Sequence, residues 1–115
     1  MTLSSSEIAA LNDDELILIA AIRLGYMSKP SGVTAAWNEC HLIGSVWRER
    51  IRWIWILDVD NVPENRIVYC DSGTHAGTGI RVQQLATDAV NNANPNEIGE
   101  TWQESIRLCI AAWQQ

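Results

Sequence analysis

The sequence predicts a mixed α/β chain of the α+β kind, a small α/β/α sandwich in which a short antiparallel hairpin is packed between helices. The prediction rests first on "RIRWIWILDVD", Arg50 to Asp60. At period two, Ile51, Trp53, Trp55 and Leu57 fall on one face and Ile54 and Ile56 on the other, so a strand over 50–58 is apolar on both sides and needs cover on both. Its β-branched and aromatic content favours strand over helix, and the turn signals of "DVDNVPEN" follow it. "RIVYC", Arg66 to Cys70, is then the return strand over 66–70. The remaining observation is that helical patterns stand both before and after this hairpin.

Each element has its own justification. In "LNDDEL", Asn12 can cap a helix and Glu15 can reach back to it, while Leu11 and Leu16 have the spacing of a hydrophobic staple. Asp13 and Asp14 suit the positive end of the helix dipole, and Gly25 supplies a stop, which predicts a helix over 13–24. Val33, Ala36, Trp37, Cys40, Ile43 and Trp47 form a 3.6-residue stripe and predict a second helix over 32–44. "DSGTHAGTG", positions 71–79, reads as a flexible loop. Positions 80–92 carry two patterns. Val82, Leu85, Ala86, Ala89 and Val90 fit a helix, whereas Ile80 and Val82 alternate as in a strand, so helix or mixed structure is expected. "NNANPNEIG" reads as a polar loop. "TWQE" then predicts a capping box, with Thr101 as cap and Glu104 reaching back, before the stripe Trp102, Ile106, Cys109, Ile110 and Trp113. Residues 1–10 are expected to be a flexible segment and 11–115 a single domain.

The bulk composition excludes several classes of function. Eight Lys plus Arg stand against fourteen Asp plus Glu, a formal charge of −6, which disfavours direct nucleic-acid binding because that affinity needs clustered cations. Three cysteines, Cys40, Cys70 and Cys109, are an odd set without a C-x-x-C pair and predict free thiols rather than a disulfide framework. No signal peptide and no apolar run of the ~20 residues needed to cross a bilayer is legible. Six Trp and no Phe are unusual; indoles of this kind belong at core edges, layer boundaries or interfaces. Trp47 and Trp113, near helix ends, read as layer-edge core before they read as contact hot spots.

Candidate chemistry is sparse, and each candidate has a structural alternative. Cys70, Asp71 and His75 could be sketched as nucleophile, orienter and base, yet a Cys at a strand end is more often a small buried hydrophobe. Cys40 and His41 are adjacent on a helix and face apart, and no zinc spacing exists. Asp58, Asp60, Asn61 and Glu64 offer oxygen ligands without the glycine or spacing of an EF-hand. Gly73, His75 and Gly77 in the glycine-rich loop could present backbone N–H groups to an anion, and Arg48, Arg50 and Arg52 form the cationic cluster that could anchor an anionic ligand or an acidic surface. These six residues are the candidate ligand or partner site. No catalytic set, metal or cofactor is predicted.

Read in order, "NDDELILIAAIRLGY", "SGVTAAWNECHLI" and "GETWQESIRLCIAAW" resemble the phage ABA-sandwich domain, a family of small bacteriophage-encoded proteins. The first is similar to that family's opening acidic helix ending in a glycine-aromatic pair, and the second to its Ala-Ala-Trp-Glu helix before a Trp-containing strand. The third is similar to a closing helix written roughly Thr-Ala-Pro, then Ala-Ile-Cys-Arg-Ala-Ala-Leu. Trp102-Gln103 stands in place of the Ala-Pro pair, and the 71–96 segment is long for the family. The resemblance covers Leu11 to Trp113 and implies an α/β/α sandwich of phage or prophage origin, with no assigned activity.

The leading expectation is therefore a non-enzymatic phage accessory protein in the host cytoplasm. It would bind a host protein or its own copy as a homodimer, and inhibit a host defence system. Neither nucleic acid nor membrane is an expected partner. A binder that sequesters an anionic nucleotide through the loop and the arginines is the alternative, and a small cysteine-dependent hydrolase using Cys70 and His75 a second.

Overall fold

In the computed structural model, residues 3–27, 56–57 and 66–114 are described. Over these the chain is a small α+β fold of helices and a short antiparallel sheet, as the sequence predicts. The expected helix over 32–44 and most of the 50–58 strand, with Trp53 and Trp55, lie outside the described residues.

The first element was not expected. Ser5–Ala9 form a short helix, α1, inside the segment read as flexible. Ser4 Oγ accepts from the Glu7 N–H at 3.2 Å and Glu7 Oε1 accepts from the Ser4 N–H at 2.9 Å, a complete capping box. Leu3 and Ile8 bury their side chains and hold the turn to the core. One helical turn has no room for a periodic stripe, so only the Ser-x-x-Glu spacing announces it.

Helix α2, Asp13–Arg23, begins as predicted. The Glu15 N–H donates to Asn12 Oδ1 at 2.9 Å, and Glu15 Oε1 accepts from the Asn12 N–H at 3.2 Å. Its end is a Schellman motif. Gly25, at φ +77°, donates to Ile22 O while Tyr26 donates to Ala21 O. Between these caps Leu16 to Ile22 are all buried, so α2 has no solvent face along its middle turns. Asn12→Ala should lower stability by about 1 kcal/mol, since it leaves the Glu15 N–H without its side-chain acceptor; urea denaturation would check this.

The sheet has the order β1-β2-β3, all antiparallel, with β1 at Ile56–Leu57, β2 at Ile67–Tyr69 and β3 at Gly79–Arg81. Ile56 pairs with Val68 and Leu57 with Ile67, which is the predicted hairpin; on the other edge Val68 pairs with Ile80. The third strand runs without a break into α3, Val82–Ala93. Both patterns read at 80–92 are therefore present: period two up to Arg81, then period 3.6 from Val82. The Val82 N–H still donates to Arg66 O at 3.1 Å, which carries the sheet ladder one residue into the helix.

α3 also extends further than expected. It takes in Asn91 to Ala93 and is closed by Asn94 in the left-handed region at φ 50°, before Pro95. The last helix, α4, is Trp102–Trp113. Thr101 Oγ1 accepts from the Glu104 N–H at 3.1 Å as predicted, but Glu104 Oε2 accepts from the Glu100 N–H at 3.0 Å rather than from that of Thr101. The reciprocal half of the box thus ties down the preceding loop. Trp102, Ile106, Cys109 and Ile110 are buried, as are Val82, Leu85, Ala86 and Ala89 of α3. Polar ties close the periphery: Arg107 Nη2 donates to Leu11 O at 2.9 Å and Arg66 meets Asp14 at 2.7 Å.

Candidate functional site

The glycine-rich loop packs as a clasp between α2 and α3. Gly73–His75 form a single 3-10 turn, with Gly73 at φ +72° and Gly77 at φ +82°. Most of the loop's amides are already in use. Those of Asp71 and Ser72 donate to Tyr26 O, that of Ala76 to Gly73 O, that of Gly77 to Cys70 O and that of Thr78 to His75 O. Of the three candidate loop residues, Gly77 thus has its N–H spent on the chain's own carbonyl, and a backbone N–H so spent does not cradle a phosphate.

His75 is part of the same clasp. Its ring meets Tyr26 edge-on with centroids 4.7 Å apart, and its Nε2 lies 3.6 Å from Asp88 Oδ2. The same carboxylate oxygen accepts from Tyr26 Oη at 2.7 Å, and Gln84 donates to Oδ1 at 2.7 Å. Burial first, then the hydrogen bond and charge of Asp88, push the Tyr26 phenol up to about 12. Among the described residues no hydrogen bond joins His75 to Cys70; the Cys70 thiol donates to Val68 O at 3.9 Å.

The described thiols are suited to packing rather than attack. Cys70 and Cys109 are both fully buried. Burial, and secondarily the charge of Asp71, raises the Cys70 pKa, and burial pushes that of Cys109 up to about 11. Both should therefore resist alkylation in the native protein and react at once in denaturant, which timed labelling with a maleimide would show. Cys109 and Tyr26 hold their protons more tightly folded than unfolded. Their stabilising contribution is complete below the ordinary values of 9.0 and 10.0, and is lost as pH rises through about 11 and about 12 respectively. Native circular dichroism should accordingly persist at pH 8 and decay between about pH 9 and 12.

An open concavity of the described surface lies elsewhere, between α3 and the loop that returns from Asn94 to Thr101. It has a volume of about 350 Å³, within the range of roughly 300–1,000 Å³ usual for ligand sites. Ala86 and Val90 lie along it, Trp102 and Ser105 of α4 line it, and Ile98 stands at it 70% exposed. Gln83, Thr87 and Asn91 add neutral polar groups, and Glu100 adds a carboxylate. No sequence pattern singles out this place, because Ile98 is an isolated apolar residue in a polar loop. Its one signal is that an isoleucine there has no periodic partner to be buried with.

The other candidates are placed as follows. Trp113 is half-buried against the core; its indole N–H donates to Asn92 Oδ1 at 2.9 Å and the Arg23 guanidinium lies 5.6 Å over its ring, which is the layer-edge role. Arg48, Arg50, Arg52, Cys40, His41, Trp47 and the acidic turn of Asp58, Asp60, Asn61 and Glu64 lie outside the described residues. Among the described residues no three His, Cys, Asp or Glu side chains come together as a metal site, and no helix is long and apolar enough to cross a membrane. Compared with known proteins, the chain matches no family model, no curated protein and no solved structure.

Proposed function

We propose that this chain is a small, non-enzymatic phage or prophage accessory protein that acts by binding another protein, and that inhibition of a host defence system in the host cytoplasm is the role it serves. The origin rests on the resemblance of three sequence segments to the phage ABA-sandwich domain, and the role on that origin together with the small, acidic character of the chain. The mode of action is supported by one observation above others: Ile98, a large apolar residue 70% exposed, stands at an open groove of about 350 Å³. An exposed apolar side chain beside a concavity offers a partner apolar area to bury. Binding through side chains also fits the state of the described thiols and of His75. The thiols of Cys70 and Cys109 are buried, and His75 is held by Tyr26 and Asp88. Affinity capture of the tagged full chain from bacterial lysate, with light scattering on the purified protein, tests this. A specific partner or a concentration-dependent dimer is expected; a strictly monomeric mass with no specific capture would remove the reading.

A further inference from the structure

We infer that the groove at Ile98 receives an aliphatic side chain carried on a cationic segment of a partner protein. The inference rests on the protein-binding reading above and names the chemistry of the partner. From Val82 to Ile106 the chain carries Asp88, Glu97, Glu100 and Glu104 and not one Lys, Arg or His. Asp88 is turned into the clasp, where Tyr26 and Gln84 donate to it. The other three are exposed: Glu100 lines the groove, Glu97 precedes Ile98 in the chain, and Glu104 is bound through Oε2 to the Glu100 N–H at 3.0 Å. Ala86, Val90 and Trp102 thus line the groove beside the Glu100 carboxylate, on a stretch of chain that carries acids and no base, and no cation stands among the described lining residues.

This pairing selects its occupant. The volume of about 350 Å³ holds on the order of a dozen waters, enough to admit one branched aliphatic side chain together with the backbone that carries it. The flanking carboxylates repel an anionic ligand, a nucleic acid or an anionic membrane surface, and they attract Lys or Arg on either side of the anchor. A second copy of this chain would bring the same carboxylates face to face, so like charge opposes self-association through the groove.

The test uses the isotope-labelled full chain and three tripeptide probes, acetyl-Lys-Leu-Lys-amide, acetyl-Lys-Ser-Lys-amide and acetyl-Glu-Leu-Glu-amide, followed by amide chemical shifts. The Lys-Leu-Lys probe is expected to move Val90, Asn91 and Ile98 to Thr101 saturably, and to bind about tenfold more weakly when salt is raised from about 0.02 to about 0.2 M. Ile98→Ser and Glu100→Gln change exposed side chains and are expected to leave the circular dichroism spectrum unchanged. Each should weaken the probe several-fold. Equal binding of the Glu-Leu-Glu probe, no saturable shift at the groove, or a dimer abolished by Ile98→Ser would overturn the inference. Capture of a host protein that survives Ile98→Ser would also overturn it while leaving the protein-binding reading in place. Tripeptide binding without any captured protein would support the groove's chemistry and count against that reading.

Discussion

Ile17→Ala is expected to lower the unfolding free energy by about 3–4 kcal/mol, close to the largest loss a single methyl-bearing truncation produces. Ile17 has no exposed surface, and its neighbours Leu16, Leu18 and Ile19 are at most 1% exposed. In a helix buried on one stripe, the far side can slide toward solvent and let the site collapse. α2 cannot do this, because Leu16 to Ile22 are buried all round the helix and no side of it faces solvent. The space left by three carbons should stay open and carry the added penalty of a cavity. For a chain of 115 residues this corresponds to a drop in melting temperature of roughly 12–16 °C. In urea the midpoint should fall with the slope unchanged. A loss below about 1 kcal/mol would show that this part of α2 is not enclosed.

Gly73→Ala is expected to cost roughly 3–4 kcal/mol through a different route. The residue sits at φ +72°, where any Cβ is strained by about 1–2 kcal/mol. Here a Cβ would also lie 2.6 Å from Gly25 O, a backbone atom held by the α2 terminus and unable to yield cheaply. The two turns would have to separate, which stretches the bonds that Asp71 and Ser72 donate to Tyr26 O, each 3.1 Å long. Gly77→Ala is the control. It shares the positive φ, +82°, but an added Cβ there meets nothing within 4 Å, so only the conformational strain of about 1 kcal/mol remains. The difference between the two variants in chemical denaturation isolates the close packing of the loop on α2. Equal losses would show that the turn alone, and not its seating, requires glycine at 73.

The local parts of this fold were legible and the seated parts were not. "NDDE" specified the start of α2 because a capping box is a bond between residues three apart, and Gly25 specified its end for the same reason. The hairpin was legible from alternation and the turn signals, and Ile56 pairs with Val68 inside the two predicted strands, although no pattern specified that register. At Ile80 to Val82 the reading stayed divided because the chain changes period within one residue, and Val82 belongs to both elements. The apolar run Leu16 to Ile22 did carry a sign that α2 is enclosed all round, since it leaves no polar stripe to face water.

The candidate site fared differently. Gly73 and His75 were picked out as a possible ligand loop from composition, but their constraints come from Gly25, Tyr26 and Asp88, which no spacing rule connects to them. The groove escaped notice because its walls come from one helix, the loop after it and the first turn of the next, and its anchor Ile98 lies amid "NPNEIGE".

The Tyr26–Asp88 bond joins positions 62 apart in the chain. A link of that span is entropically unfavourable until other structure has already drawn its ends together, so it belongs to the late, native side of the folding barrier. Loosening it, as Asp88→Asn would, should hasten unfolding and leave the refolding rate nearly untouched, giving a φ-value close to zero in stopped-flow chevrons. The clasp would then act as a kinetic latch, lengthening the lifetime of the folded protein without helping it to form.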